Sequence, residues 1–412
     1  MDASAHAASV HPQHPPDPMS VSDTLHAPAR APARAASWAP AASVPWHVYA
    51  VLFASTSVII GVLWDISWHQ SIGRDTFWSP PHMAMYLGGV VSGIACGWHV
   101  LHTSFAGSAQ ERAGTVSFWK YFHGSLGAWV CIWGAIAMLT SAPFDDWWHN
   151  AYGLDVKILS PPHAVLALGI LAIQIGAMLM VLALQNRRGD TRAFRWMYAY
   201  AAGLVLLNLG VMISEYTWRW AQHGTLFYQV VAGAIPLVLV APAVAGRLRW
   251  PATAAAASYM GVLLALTFIL PLFPAEPRLA PVRFPIDRMM PPQFPLLLIV
   301  PALAFDLVLQ RWGDRRKGWM LAGVLGVAFV AALFIAQWPF ANVLNRLATQ
   351  ETIMNQHLRP YMIGEGILSR GEFWNAASGM NIVRGLGIAA VLAILSARVG
   401  LGWGNFMARV KR

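Results

Sequence analysis

"DISWHQSIGRDTFWSPPH", residues 65–82, decides how this chain is read. It closes one apolar run and opens the next, yet it carries Asp65, His69, Asp75 and His82. A second stretch, residues 145–163, reads "DDWWHNAYGLDVKILSPPH". The two share DxxWHxxxGxD followed by SPPH. Asp65, Trp68, His69, Gly73, Asp75 and Ser79 to His82 recur as Asp145, Trp148, His149, Gly153, Asp155 and Ser160 to His163, with one residue inserted before the second SPPH. A repeat of this kind outranks any single motif. Each copy spans a helix end, a short connection and the next helix start, so the first four runs form two helical hairpins with both motifs on one side. Repeated helix groups are a common way to build membrane folds.

The rest of the composition agrees. Hydrophobic residues make up 57% of the 412 positions and charged residues 11%, against about 25% charged in a soluble domain. Runs near the roughly 20 residues that cross a bilayer lie at 46–66, 82–104, 118–141, 162–184, 194–215, 225–246, 252–273, 294–311, 318–338 and 379–400. The expected fold is an all-α polytopic membrane bundle of about ten helices, the eighth the weakest. The first run is too long for a removable signal sequence. Residues 45–189 make a duplicated four-helix region and 190–412 a further region of about six helices, with an outside connection near 340–377.

The net charge of +10 is accounted for by topology. Arg187, Arg188, Arg192 and Arg195, then Arg247 and Arg249, then Arg311, Arg315, Arg316 and Lys317, and finally Arg409, Lys411 and Arg412 fall on one side of a ten-helix chain. The positive-inside rule then puts both termini in the cytoplasm of a multi-pass bacterial inner-membrane protein, with Arg278, Arg283 and Arg288 outside as the exception. Nucleic acid is excluded as a partner; the lipid bilayer is one. Residues 1–44 are rich in Ala, Pro and His and read as a disordered tail, in which His6, His11, His14 and His26 need no metal. Cys96 and Cys131 fall inside helices as small hydrophobes, and no disulfide framework is implied.

Asp65 and His69 are four residues apart and share a helix face. Ser79 suits an N-cap and Pro80 the first helical position, which puts His82 in the first turn, where the helix dipole favours the neutral imidazole that binds metals. The same holds for Asp145, His149 and His163. An interfacial Asp/His pair with aromatic anchoring would explain one copy, but anchoring requires neither the repeated Asp-to-His offset nor a histidine after both Pro-Pro pairs. Ionisable groups in such positions are costly and usually functional. The ligand set suits copper, zinc or non-haem iron with an open position. Trp64, Trp68, Trp78, Trp147, Trp148 and Tyr152 read as the interfacial aromatic belt. Asp75 and Asp155 are assigned supporting roles around the ligands. A faint echo appears in "SEYTWRW" (214–220) and "MPPQFP" (290–295), with Arg219 and Gln293 in the histidine places. His99, His102 and His123 gather near the opposite helix ends and read as interface histidines; His47, Glu215 and His223 receive no role.

The spacing Asp65, three residues, His69, twelve residues, His82, followed by Asp145, three residues, His149, thirteen residues, His163, resembles the two metal sites in the C subunit of the copper membrane monooxygenases, the particulate methane and ammonia monooxygenases. The resemblance covers roughly residues 45–185 and implies two adjacent periplasm-side copper sites. It also implies oxygen and a small apolar substrate, and partner membrane subunits or a homo-oligomer. This chain departs from the family in having Asp145 where the family has Asn, and in its extra helices. The expectation is a copper-dependent oxidoreductase or monooxygenase-like subunit. A zinc-dependent intramembrane hydrolase, with Asp75 or Asp155 as base, and a non-catalytic metal transporter or copper-loading protein are the alternatives; in a transporter Asp306 would be the buried carboxylate.

Overall fold

A computed structural model describes residues 44–153, 160–283, 285–313, 318–348 and 371–412. The amino-terminal tail, Asp155, Arg315 to Lys317 and most of the 340–377 connection lie outside the described residues. The fold is an all-α membrane bundle. Its helices are α1 (Trp46–Ser71), α2 (Pro80–Phe105), the single-turn α3 (Ala109–Ala113), α4 (Leu126–Tyr152), α5 (Pro161–Arg188), α6 (Arg192–Met212), α7 (Thr225–Ala245), α8 (Pro251–Ile269), α9 (Ile299–Trp312), α10 (Gly318–Ala348) and α11 (Met380–Met407). Among the described residues, eight are long and apolar enough to cross a membrane.

Two expectations shift. The third long helix starts at Leu126, not 118, because residues before it form a hairpin of β1 (Val116–Phe118) and β2 (Phe122–Gly124), and Ser125 then caps the helix by accepting from the Ala128 amide at 3.3 Å. It runs on to Tyr152, so Asp145 and His149 lie within it. The eighth expected helix is shortened: α9 has 14 residues, about 21 Å at 1.5 Å per residue, short of a roughly 30 Å hydrocarbon core. The chain before it is non-helical and buried from Met289 through Pro292. Non-helical backbone at that depth must be satisfied by protein. The Met290 amide donates to Ser71 Oγ at 2.7 Å, that of Leu296 to Tyr259 Oη at 3.1 Å and that of Leu297 to Gln337 Oε1 at 2.9 Å.

Glycines bring the site-bearing helices close. Gly61 of α1 faces the Pro81 carbonyl and Met85 of α2, and Gly88 faces Val58 and the Ala54 carbonyl in return. Gly127 and Gly134 of α4 meet Gly176 and Gly169 of α5 in the same way. With no hydrophobic force between helices in lipid, such close backbone approach is what holds them together. The hairpins α1/α2 and α4/α5 join where α2 packs on α4 and α1 on α5. Arg278 donates its backbone N–H to the Ile72 carbonyl at 2.8 Å, which places the 273–290 connection beside the first motif.

Candidate metal centre

The glycine of the repeat ends the ligand helix in both copies. Gly73 and Gly153 have φ of 91° and 88°, a region that residues with a Cβ avoid. The chain turns away at that point, closing with Gly73 N–H to Trp68 O at 3.1 Å and Gly153 N–H to His149 O at 2.9 Å. The Pro-Pro pair starts the next helix in both copies. Ser160 caps as expected, accepting from the His163 amide at 3.4 Å. Ser79 stands at the equivalent position, but its hydroxyl accepts from the Thr76 amide at 3.0 Å and so orders the connection instead of the helix.

These turns converge the ligand atoms. In the first copy His82 Nε2 lies 3.3 Å from Asp65 Oδ1 and 3.1 Å from Asp75 Oδ2, and His69 Nε2 lies 3.7 Å from Asp65 Oδ2 and 3.6 Å from Asp75 Oδ2. Asp65, Asp75 and His82 together could hold an ion. Asp75, expected behind the ligands, places its carboxylate among them. Burial raises the Asp75 pKa, but the hydrogen bond from His82 and the nearby His69 outweigh it and hold the carboxyl below its usual range. In the second copy Asp145 Oδ2 lies 3.4 Å from His149 Nε2, and Asp145 Oδ1 lies 3.5 Å from His163 Nε2. His149 Nδ1 is 3.1 Å from the Gly153 carbonyl oxygen. A carbonyl can only accept, so Nδ1 carries a proton and Nε2 is the nitrogen that faces Asp145, where a proton or an ion bridges it to the carboxylate. This is the usual way in which an outer hydrogen bond fixes a ligating imidazole.

In the first copy the separations suit a shared ion. Four ligands at about 2.0–2.1 Å in tetrahedral array stand roughly 3.3–3.4 Å apart, and the Asp65/Asp75/His82 group has edges near that length; in the second copy each imidazole meets a different oxygen of Asp145, so the three side chains stand around the carboxylate without closing into one such group.

The two clusters are neighbours. Gly89 of α2 faces Met138 of α4, and Gly93 faces Ala135. Stepping seven residues outward along each antiparallel helix sets His82 level with Asp145 on the facing sides. Tyr86, one turn inward from His82 with ring centroids 6.1 Å apart, feels the charges of Asp65 and Asp75 from one copy and of Asp145 and Asp146 from the other. The sequence analysis assigns Tyr86 no role, and the second copy has Ala167 at the equivalent place; its offset of four from His82 was the available signal.

The aromatic residues agree with a belt: Trp78, Trp147 and Tyr152 are exposed, and Trp68 donates to the Arg74 carbonyl at 2.9 Å. The faint echo is also brought together, since Gln293 donates to the Ser214 carbonyl at 3.1 Å and Thr217 to Gln293 Oε1 at 3.4 Å. Arg219 there is buried and donates to Asn345 at 2.9 Å, so a cation occupies the ligand place. Asp306 accepts from the Ala252 and Thr253 amides at 3.1 and 2.8 Å; it caps α8. His47 stacks on His99 with centroids 4.4 Å apart, and Thr115 Oγ1 lies 3.3 Å from His123 Nδ1. No protein-family model matches the chain, and neither a curated protein nor a solved structure does.

Proposed function

We propose that this protein is a membrane metalloprotein with two neighbouring metal sites, Asp65/Asp75/His69/His82 and Asp145/His149/His163, and that it serves as a copper-dependent oxidoreductase or monooxygenase-like subunit. One observation carries the reading: the first copy of a repeated motif gathers Asp65, Asp75 and His82 at the spacing of ligands around a common ion, and the second copy repeats the carboxylate–imidazole contacts beside it at Asp145, His149 and His163. Copper and its chemistry come from the spacing resemblance to the copper membrane monooxygenase C subunit. Bound copper with an open position would supply oxygen chemistry next to the bilayer, where small apolar substrates dissolve. The chain's own groups hold the ion, fix the imidazole tautomer at His149 and surround both sites with indoles. Other membrane subunits or a second copy of the chain would complete such an enzyme.

Elemental analysis with electron paramagnetic resonance of the purified protein tests this. Two paramagnetic copper ions per chain, lost together with oxygen-dependent turnover in His69→Ala and His149→Ala, are the expected result. Unchanged metal content and turnover in both variants would end the proposal. A second reading is favoured by the entry of Asp75: two carboxylates with two histidines at tetrahedral spacing also suit zinc, as in a hydrolase. Zinc as the sole metal found would select it. Transport gains less support, because Asp306 is engaged as a helix cap.

A further inference from the structure

The register that sets His82 beside Asp145 has a consequence at the other end of the same seam. Stepping from the Gly93/Ala135 contact toward the opposite membrane face brings Cys96 of α2 against Cys131 of α4, and the two thiols interact. These are the only cysteines in 412 residues, and both are wholly buried. Cys131 points its thiol at the Ile173 carbonyl of α5 at 3.5 Å. Ser92, one turn along α2 from Cys96, is wholly buried beside Cys131, and its hydroxyl has no hydrogen-bond partner of normal geometry. A buried hydroxyl left in this state is costly, and the group it stands beside is the Cys131 thiol.

We propose that Cys96 and Cys131, with Ser92 beside them, form a third metal site, for a soft closed-shell cation of the Cu⁺ class. Paired sulfur donors select such ions over the harder ones that carboxylates prefer. Binding breaks one S–H bond, sends that proton to solvent and forms one metal–thiolate bond. The second sulfur donates a lone pair and keeps its proton. The occupied site is then neutral, as a low-dielectric interior requires, and no electron is transferred. The site lies 14 residues along α2 from His82, about 21 Å by helical rise, so it is separate from the Asp/His centres. Two cysteines packed only as small apolar groups would bind nothing.

The proposal stands apart from the Asp/His reading and is tested separately. Full-length protein in detergent is titrated anaerobically with Cu⁺ against a colorimetric chelator, as wild type, as His69→Ala/His149→Ala and as Cys96→Ser/Cys131→Ser. The expected result is about one tightly held equivalent that survives in the histidine variant and disappears in the cysteine variant. X-ray absorption at the copper edge of the histidine variant then shows sulfur ligation. Equal Cu⁺ binding by wild type and the cysteine variant, or a copper edge with only nitrogen and oxygen neighbours, would overturn it. The absorption measurement uses no cysteine substitution, so it decides the matter even where the Ser variant does not fold. Loss of all binding in the histidine variant would likewise reject an independent thiol site.

Discussion

The Nδ1 of His149 donates to the carbonyl oxygen of Gly153 at 3.1 Å, so the residue that ends α4 also orients the ligand. Gly153 has φ 88° and ψ −179°, a conformation essentially restricted to glycine. Gly153→Val should cost about 1–3 kcal/mol locally and release the imidazole. Metal affinity at the second site should fall about 10- to 100-fold while the first site keeps its ion. Titration with a spectroscopically visible divalent ion checks this; equal weakening of both sites would mean that the substitution acts on the whole bundle.

Gly61 provides the converse experiment. It lies one turn before Asp65, and a Cβ there would stand 2.9 Å from the Pro81 carbonyl oxygen and from the Met85 amide nitrogen. These are backbone atoms that cannot move aside, so Gly61→Leu must push α1 from α2, at a cost of about 1–3 kcal/mol for overpacking. Asp65 and His69 ride on α1 and His82 on α2, so the first site should lose its metal and the second retain it. Site-resolved metal analysis after size-exclusion chromatography measures the outcome.

Much of this arrangement was legible in the residues. The repeat paired the helices and marked the candidate ligand positions that the turns bring together, because offsets of four on a helix and a Pro-Pro start carry geometry directly. Four features were not legible. The α4 start was misplaced because Val116, Phe118 and Phe122 are apolar residues used in a hairpin that a hydropathy run cannot separate from a helix. The shortness of α9 was hidden because Pro291, Pro292 and Pro295 sit in an extended stretch whose amides are satisfied by Ser71, Tyr259 and Gln337, all distant in sequence. Asp75 entered the ligand cluster because Gly73 folds the connection back over α1, a turn that sequence spacing alone does not specify. The facing of Cys96 and Cys131 likewise depends on the α2/α4 register.

Tyr86 reports on whether the two sites are neighbours in solution. Its ring lies under His82 and within electrostatic reach of Asp65, Asp75, Asp145 and Asp146. Tyr86→Lys puts a cation there, and at an effective dielectric near 20 one charge at about 7 Å is worth on the order of 2 kcal/mol. Divalent-metal affinity should therefore drop at least about tenfold at both sites, and high salt should recover only part of it. Isothermal titration at two ionic strengths checks this. A loss confined to one site would show that the phenol does not lie between them.

Acid should remove the metal and disorder the first connection in two separate steps. Ligation needs neutral imidazole, so metal affinity falls as pH drops and protons compete with the ion for the ring nitrogens. Asp75 behaves oppositely. Its carboxyl is held below the ordinary value, burial being outweighed by the His82 hydrogen bond and the His69 charge. A depressed carboxylate stabilises the fold fully above its unfolded pKa of about 3.9, and that contribution disappears only as pH falls through the lower folded value. Between about pH 6 and 4 the metal-free protein should therefore keep the 72–79 connection, held by the ionised Asp75 carboxylate against His82 at 3.1 Å. Below about pH 4 it should loosen, exposing Arg74 to limited proteolysis. Asp75→Asn should abolish this lower step, leave the connection cleavable near pH 6, and weaken the first site by about 10- to 100-fold. Metal release and cleavage that follow one common pH curve in the wild type would show that Asp75 does not hold the connection independently of the ion.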